Sequence, residues 1–231
     1  MNIFKTYLVG GAVRDELLGI PCKDLDYVCL APSFEAMRET LLELGCKIFV
    51  EKPEFLTIRA RHPSLGCVDF ACGRADGNYA DGRRPDEVKV TTNLIEDLGR
   101  RDFTCNSIAK DIETGKLVDP FNGAKDIANR VLRCVRGARA RFDEDKLRMF
   151  RAVRFAVTKN FRMDHDIANA IGAYTPMQFK AVSTERIREE LIKAFKHDGQ
   201  KAFKLLSNDF PLLWEIVNQR GIWFKPTCEQ I

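Results

Sequence analysis

Gly10-Gly11-Ala12-Val13-Arg14-Asp15, followed by Asp24-Leu25-Asp26, decides how the first half of the chain is read. Tyr7-Leu8-Val9 before the glycines is strand-like, and Ala12 to Leu18 after them reads as a short helix closed by Gly19 and Pro21. A glycine pair between strand and helix lets backbone N–H groups approach a phosphate, and the helix N-terminus adds a favourable dipole. Arg14 is placed to pair with the same phosphates. Such turns usually do no more than connect elements, so the reading needs the acids behind it. Side chains two apart on a strand share a face, which presents Asp24 and Asp26 together. Two such carboxylates repel unless a cation joins them, and Mg²⁺ takes oxygen ligands of this kind. Asp69, inside the apolar run Cys67-Val68-Asp69-Phe70-Ala71, is a plausible third acid, because a buried acid in a strand needs a partner.

Outward from this stretch, the sequence predicts further strands at 25–30, 48–50, 56–60 and 67–71, with a helix at 33–44 capped by Ser33 and stopped by Gly45. Residues 73–86, rich in Gly, Arg, Asp and Pro, read as a loop. From about residue 140 the pattern changes. Helical periods run over 141–157, 167–174, 184–195 and 200–206, with no strand-like run between them. The expectation is a mixed α/β head at 1–138 followed by a helical region at 139–231.

Composition narrows the class. Of the 231 residues 45% are hydrophobic and 30% charged, which fits an ordinary globular protein, and no apolar run is long enough to span a bilayer. The N-terminus offers no signal-peptide core. The cysteines at 22, 29, 46, 67, 72, 105, 134 and 228 form no C-x-x-C pair, so they read as buried thiols of a cytoplasmic protein. The net charge of +4 says little, but its distribution says more. Arg130, Arg133, Arg136, Arg139, Arg141, Arg148, Arg151 and Arg154 crowd one stretch. A charge run is usually a solvated face. Arginine in place of lysine favours phosphate and base edges.

Two further clusters carry chemistry. Glu96-Asp97-Leu98-Gly99-Arg100-Arg101-Asp102-Phe103-Thr104-Cys105-Asn106 sets an arginine pair among acids, which a surface salt-bridge cluster would also explain. In 142–155, about 100° per residue puts Met149, Phe150, Val153 and Val157 on one helical face. Arg148 and Arg151 centre on the opposite face, flanked by Asp145 and Arg154. That face is either solvated or a nucleotide site.

Taken in order, L-V-G-G-A-V-R-D, D-L-D, the R-R-P of 83–85, R-R-D-F-T-C-N, L-V-D-P-F-N-G and E-D-K-L-R-M-F-R-A-V-R-F resemble the class II tRNA nucleotidyltransferase and bacterial poly(A) polymerase family. The similarity runs from Tyr7 to about Glu190. It implies an α+β fold: a nucleotidyltransferase palm, then an all-helical neck and a shortened body. It also implies roles. Asp24 and Asp26 would bind Mg²⁺, with Asp69 as the third catalytic acid. Gly11, Arg14 and Arg101 would hold the triphosphate. Asp145 and Arg148 would read the base, supported by Arg151 and Arg154. Cytosine and adenine each set an amine donor beside a ring-nitrogen acceptor, which a carboxylate and a guanidinium match, whereas uracil and guanine mismatch them. The implied activity adds C, C and A to a tRNA 3′ end from CTP and ATP by two-metal chemistry with loss of pyrophosphate. Poly(A) addition, partial CCA addition and, in another class, a silent RNA-binding module are the alternatives. The short helical region predicts weak RNA binding unless the chain forms a homodimer or finds a partner. Asp164-His165-Asp166 suggests a metal-dependent phosphohydrolase, but only His62 and His197 remain as further histidine ligands.

Overall fold

The computed structural model describes residues 4–22, 24–76 and 88–222. Arg83, Arg84, Pro85 and Cys228, and most of the expected 73–86 loop, lie outside the described residues. The elements of the first part are β1 (Thr6–Val9), α1 (Gly11–Leu17), β2 (Asp26–Cys29), α2 (Phe34–Glu43), β3 (Lys47–Lys52), β4 (Thr57–His62) and β5 (Gly66–Cys72). They continue with β6 (Arg74–Asp76), β7 (Val88–Val90), α3 (Leu94–Gly99), β8 (Ala109–Asp111), β9 (Leu117–Val118), α4 (Gly123–Ala128) and β10 (Val131–Leu132). A seven-stranded sheet has the order β3-β4-β5-β2-β1-β8-β9. It is mixed, because β2 and β5 run parallel while β1 pairs antiparallel with β2 and β8.

Strand alternation decides what each face buries. Tyr27, Ile58, Val68 and Phe70 pack with Phe34, Met37 and Leu41 of α2. Tyr7, Val9, Val28 and Ala109 pack with Leu94 and Leu98 of α3. The Ser33 hydroxyl accepts from the Ala36 N–H at 3.1 Å and starts α2 as expected. Two expectations change here. Arg74–Asp76 is a strand, because its backbone pairs with β7. Cys67 is exposed rather than buried, since it alternates onto the open face of β5.

The second part contains α5 (Ala138–Glu144), α6 (Leu147–Thr158), β11 (Arg162–Met163), α7 (His165–Gly172), α8 (Thr184–Lys204) and α9 (Pro211–Gln219). The helix expected over 141–157 is broken at Asp145, whose backbone is extended (φ −147°, ψ 106°). The Asp145 carboxylate accepts from the Leu147 N–H at 2.9 Å and opens α6. A short strand also interrupts the helices, with β11 pairing parallel to β10. The helices expected at 184–195 and 200–206 are one run kinked at Asp198. The acids of the Asp164-His165-Asp166 run serve helix starts. Asp164 accepts from the Ile167 N–H at 3.1 Å, and Asp166 from the Ala138 N–H at 2.6 Å. The chain divides into two compact units, one formed by Arg133–Arg136 and the described residues before Arg130, the other by Arg130–Leu132 and the residues from Gly137 on. Among the described residues, no helix is long and apolar enough to cross a membrane.

Candidate active site

In the first unit, Gly10 stands between β1 and α1 with φ at +68°, a conformation that glycine adopts without strain. A Cβ there would lie 3.0 Å from Nη1 of Arg101, so that guanidinium closes over the turn. Gly11 opens α1, and Nη2 of Arg14 lies under it. Arg14 is buried. Its Nε donates to Asp15 at 2.8 Å and its Nη1 to Asn106 Oδ1 at 2.6 Å. Asn106 in turn donates to Asp102 at 2.9 Å, and the Asp102 carboxylate also accepts from the Phe103 N–H at 2.8 Å. The run from Arg101 to Asn106 is therefore tied to α1 through Arg14.

The glycine turn faces a group of carboxylates. Asp26 opens β2 and stands level with Asp69 in the parallel pairing of β2 and β5, so both acids share a face. Asp24 precedes the strand rather than lying in it, contrary to the two-residue alternation expected, yet its charge still acts on Asp26. Shielding by surrounding protein atoms raises the Asp26 pKa above the ordinary carboxylate value, and Asp69 and Asp24 push it the same way while Arg101 pulls it down. Asp69 also meets Arg59 at 3.8 Å.

The acid–arginine cluster at 96–102 is not a surface feature. Asp97 is fully buried and binds Arg100 Nη2 at 3.0 Å, Arg101 Nη2 at 2.9 Å and the Arg74 N–H at 3.2 Å. Burial alone would raise its pKa, but the charges of Arg101 and Arg100, with hydrogen bonds from Arg101 and the Arg74 backbone, lower it to about 2. Nε of Arg101 is buried with no hydrogen-bond partner.

The second unit holds the other expected site residues. The apolar face of α6 is as predicted, with Met149, Phe150, Val153 and Val157 buried. The opposite face is neither solvated nor bare. Arg148 donates to Glu144 at 2.6 Å and to the Arg141 carbonyl at 3.1 Å. Arg151 approaches Glu190 of α8 at 3.5 Å, and Arg154 binds the same carboxylate. Arg186 of α8 donates to Asp145 at 2.8 Å. Glu144, Arg186 and Glu190 are partners that the sequence reading did not single out. The only available signal was the charge run Glu185-Arg186-Ile187-Arg188-Glu189-Glu190, with no local feature to tie it to α6.

Neighbouring oxygen donors suit a hard divalent cation, which needs only one or two protein carboxylates besides water and phosphate. Among the described residues, no three His, Cys, Asp or Glu side chains converge closely enough to hold a metal ion by themselves. A glycine turn closed by an arginine and set against a carboxylate pair is a head suited to phosphate and cation chemistry. The chain belongs to the poly A polymerase head domain family, whose model matches residues 6–133. Residues 160–209 match a second family, described as the probable RNA and SrmB-binding site of polymerase A. A CCA-adding enzyme of Geobacillus thermodenitrificans is 40% identical over 82% of this chain and 45% of its own length. One from Lactobacillus helveticus is 37% identical over 98% of this chain and 57% of its own. Among solved structures, the Bacillus stearothermophilus CCA-adding enzyme in complex with CTP superposes with a TM-score of 0.77 at 32% identity, covering 95% of this chain and 53% of that one. A tRNA nucleotidyltransferase complexed with a primer tRNA and an incoming ATP analogue gives 0.74 at 29% identity, covering 93% and 59%. The chain spans about half the length of the curated relatives it matches.

Proposed function

We propose that this chain carries the catalytic and nucleotide-selecting parts of a template-independent nucleotidyltransferase that adds C, C and A to tRNA 3′ ends from CTP and ATP. The observation that carries the reading is the pairing of Asp26 with Asp69 on one sheet face, with Asp24 beside them and Arg101 over the glycine turn. The CCA-adding relatives, one crystallised with CTP, support it.

In this reading residues 1–138 perform the chemistry and 139–231 choose the nucleotide and hold the RNA. Mg²⁺ held by Asp24 and Asp26 would supply the charge that neutralises the triphosphate and acidifies the attacking hydroxyl. Asp69, level with Asp26 in the pairing of β2 with β5, adds a third negative charge. Gly11 lets the triphosphate approach the backbone, Arg101 pairs with its oxygens, and Arg14 braces the turn from below. The RNA 3′ oxygen forms a bond to the α-phosphorus while the bond from that phosphorus to the bridging oxygen breaks. Pyrophosphate leaves and the hydroxyl proton passes to water. Asp145 retains acceptor capacity beyond its bonds to Leu147 and Arg186, so it takes the exocyclic amine of cytosine or adenine while Arg148 donates to the ring nitrogen. Arg151 and Arg154, both bound to Glu190 of α8, support the base readers or the phosphates.

The test is incubation with tRNA ending before CCA and one labelled triphosphate at a time. CTP is incorporated first and ATP only after it, with UTP and GTP rejected. Asp24→Ala and Asp26→Ala each cut the rate by roughly a thousandfold or more, as loss of a main transition-state electrostatic contact does. Near wild-type rates in either variant overturn the assignment. ATP added repeatedly without CTP would instead mark a poly(A) polymerase.

A further inference from the structure

The open face of β3, β4 and β5 carries a charge pattern that the triphosphate chemistry leaves unused. Register sets its side chains in two cross-strand rows. One reads Asp26, Asp69, Arg59, Val50, and the next Cys67, Arg61, Lys47. Alternation turns these away from α2, since Ile58, Ala60, Val68 and Phe70 occupy the buried side. Arg59, Arg61 and Lys47 are exposed. Phe49, at an irregularity in the pairing of β3 with β4, is 48% exposed, and the Arg61 guanidinium stands 5.9 Å from its ring centre. Glu51 of β3 is bound to Arg38 of α2, so that acid is spent elsewhere. Outward from Asp26 and Asp69, the face therefore presents two arginines, a lysine and an open aromatic ring.

A solvated sheet face is ordinarily polar, and edge strands use lysines and bulges to prevent pairing with other chains. That accounts for Lys47 and the irregular pairing of β3, the edge strand. It does not account for Arg61 on β4, an inner strand, whereas Arg59 stands opposite Asp69 and meets its carboxylate at 3.8 Å. Nor does it account for an exposed phenylalanine, which edge protection avoids. Guanidiniums beside an aromatic ring, on a surface continuous with the carboxylates, are the elements that grip single-stranded nucleic acid: phosphates pair with arginine and a base stacks on the ring.

We infer that the open face of β3, β4 and β5 is the track along which the last nucleotides of the RNA primer lie, with the 3′ hydroxyl at the Asp24, Asp26 and Asp69 end. This rests on the polymerase reading above. Arg59 and Arg61, about 7 Å apart along the strand, take backbone phosphates. Phe49 stacks a base. Because every contact is to phosphate or to a π-face, the track holds the primer whatever its sequence.

The experiment uses the full chain and two readouts. Arg59→Gln, Arg61→Gln and Phe49→Ala, with Phe49→Tyr as the conservative control, are assayed for incorporation into tRNA lacking CCA. Each is also titrated with a fluorescent single-stranded oligoribonucleotide at several salt concentrations. Arg61→Gln raises the KM for RNA about tenfold, leaves the KM for CTP unchanged, and lowers the salt slope of binding by about one. Arg59→Gln, which also loses the contact with Asp69, is read by the titration alone and lowers the salt slope by about one. Phe49→Ala weakens oligoribonucleotide binding by roughly 5- to 100-fold, the range for one lost stacking platform, and Phe49→Tyr restores it. A wild-type chain that incorporates nothing overturns the polymerase reading, while the titration still judges the track. A wild-type chain that incorporates normally, with variants of unchanged affinity and salt slope, overturns the track alone.

Discussion

The two charged regions of the molecule solve opposite problems. In the first unit, shielding by protein atoms and then the charges of Asp69 and Asp24 raise the pKa of Asp26, with Arg101 acting against them and Arg59 at 3.8 Å from Asp69. In the second, arginines and acids alternate: Arg148 with Glu144, Arg151 and Arg154 with Glu190, Arg186 with Asp145. The carboxylates act on Asp26 as like charges, partly offset by Arg101, and in the proposed reaction a divalent cation would relieve them. The arginine lattice is balanced from within, and its ion pairs fix the directions of its members. A site that waits for charge and a site that is already neutralised should respond oppositely to mutation, and that contrast can be broken or sharpened by experiment.

The largest effect on stability is expected in the balanced region. Glu190 is buried and shared by two guanidiniums, so Glu190→Ala leaves both beside a site without its acid. Removing one partner of a buried ion pair costs about 3–5 kcal/mol. Urea unfolding should show that loss, and Glu190→Gln, which keeps an acceptor, should recover part of it. A cost below about 1 kcal/mol, the value for exposed pairs, would mean that the lattice is only a surface network.

Asp97 gives an intermediate effect with a defined pH window. Its folded pKa of about 2 lies below its ordinary value of 3.8, so its ionised form stabilises the fold. That contribution is complete above about pH 5 and is lost as pH falls through 4 towards 2. It amounts to at most about 2.5 kcal/mol. Denaturant titrations of wild type and Asp97→Asn should therefore differ most near neutrality and converge in acid. A gap that stays constant down to pH 2 would contradict the ion-pair account.

These cases also mark what the sequence makes legible. Strands β1 to β5 and the buried face of α6 follow from local periodicity, because the side chains that define them lie within one element. The acids at 24, 26 and 69 were recognisable as a group, although only the parallel register shows that Asp26 and Asp69 stand level. The break at Asp145 was not legible. Its extended backbone depends on a bond to Leu147 and on Arg186, 41 residues away. Asp97 looked like a surface acid because a run of Glu, Asp and Arg is usually solvated. Only tertiary packing brings the Arg74 backbone and two guanidiniums around it. Residues 74–76 looked like a loop for the same reason, since their strand exists only through pairing with β7.

The smallest effect is the one that separates the two regions most sharply. The pKa of Asp26 is raised in the folded state, so its ionised form works against the fold at neutral pH, and the penalty fades as pH falls and the group takes up a proton. Asp26→Asn removes that charge while keeping nearly the same shape. Asp26 is exposed and solvent screens its neighbours, so the gain is only a few tenths of a kcal/mol in metal-free buffer near pH 7. It should vanish in mild acid. Mg²⁺ should then reverse the order, because a ligand that binds only the native state raises the melting temperature of the wild type and has less to bind in the variant. Thermal melting of both proteins, with chelator and with millimolar magnesium, reads all three signs. A variant that melts below wild type without metal would show that Asp26 is a structural acid like Glu190, and the contrast between the two regions would collapse.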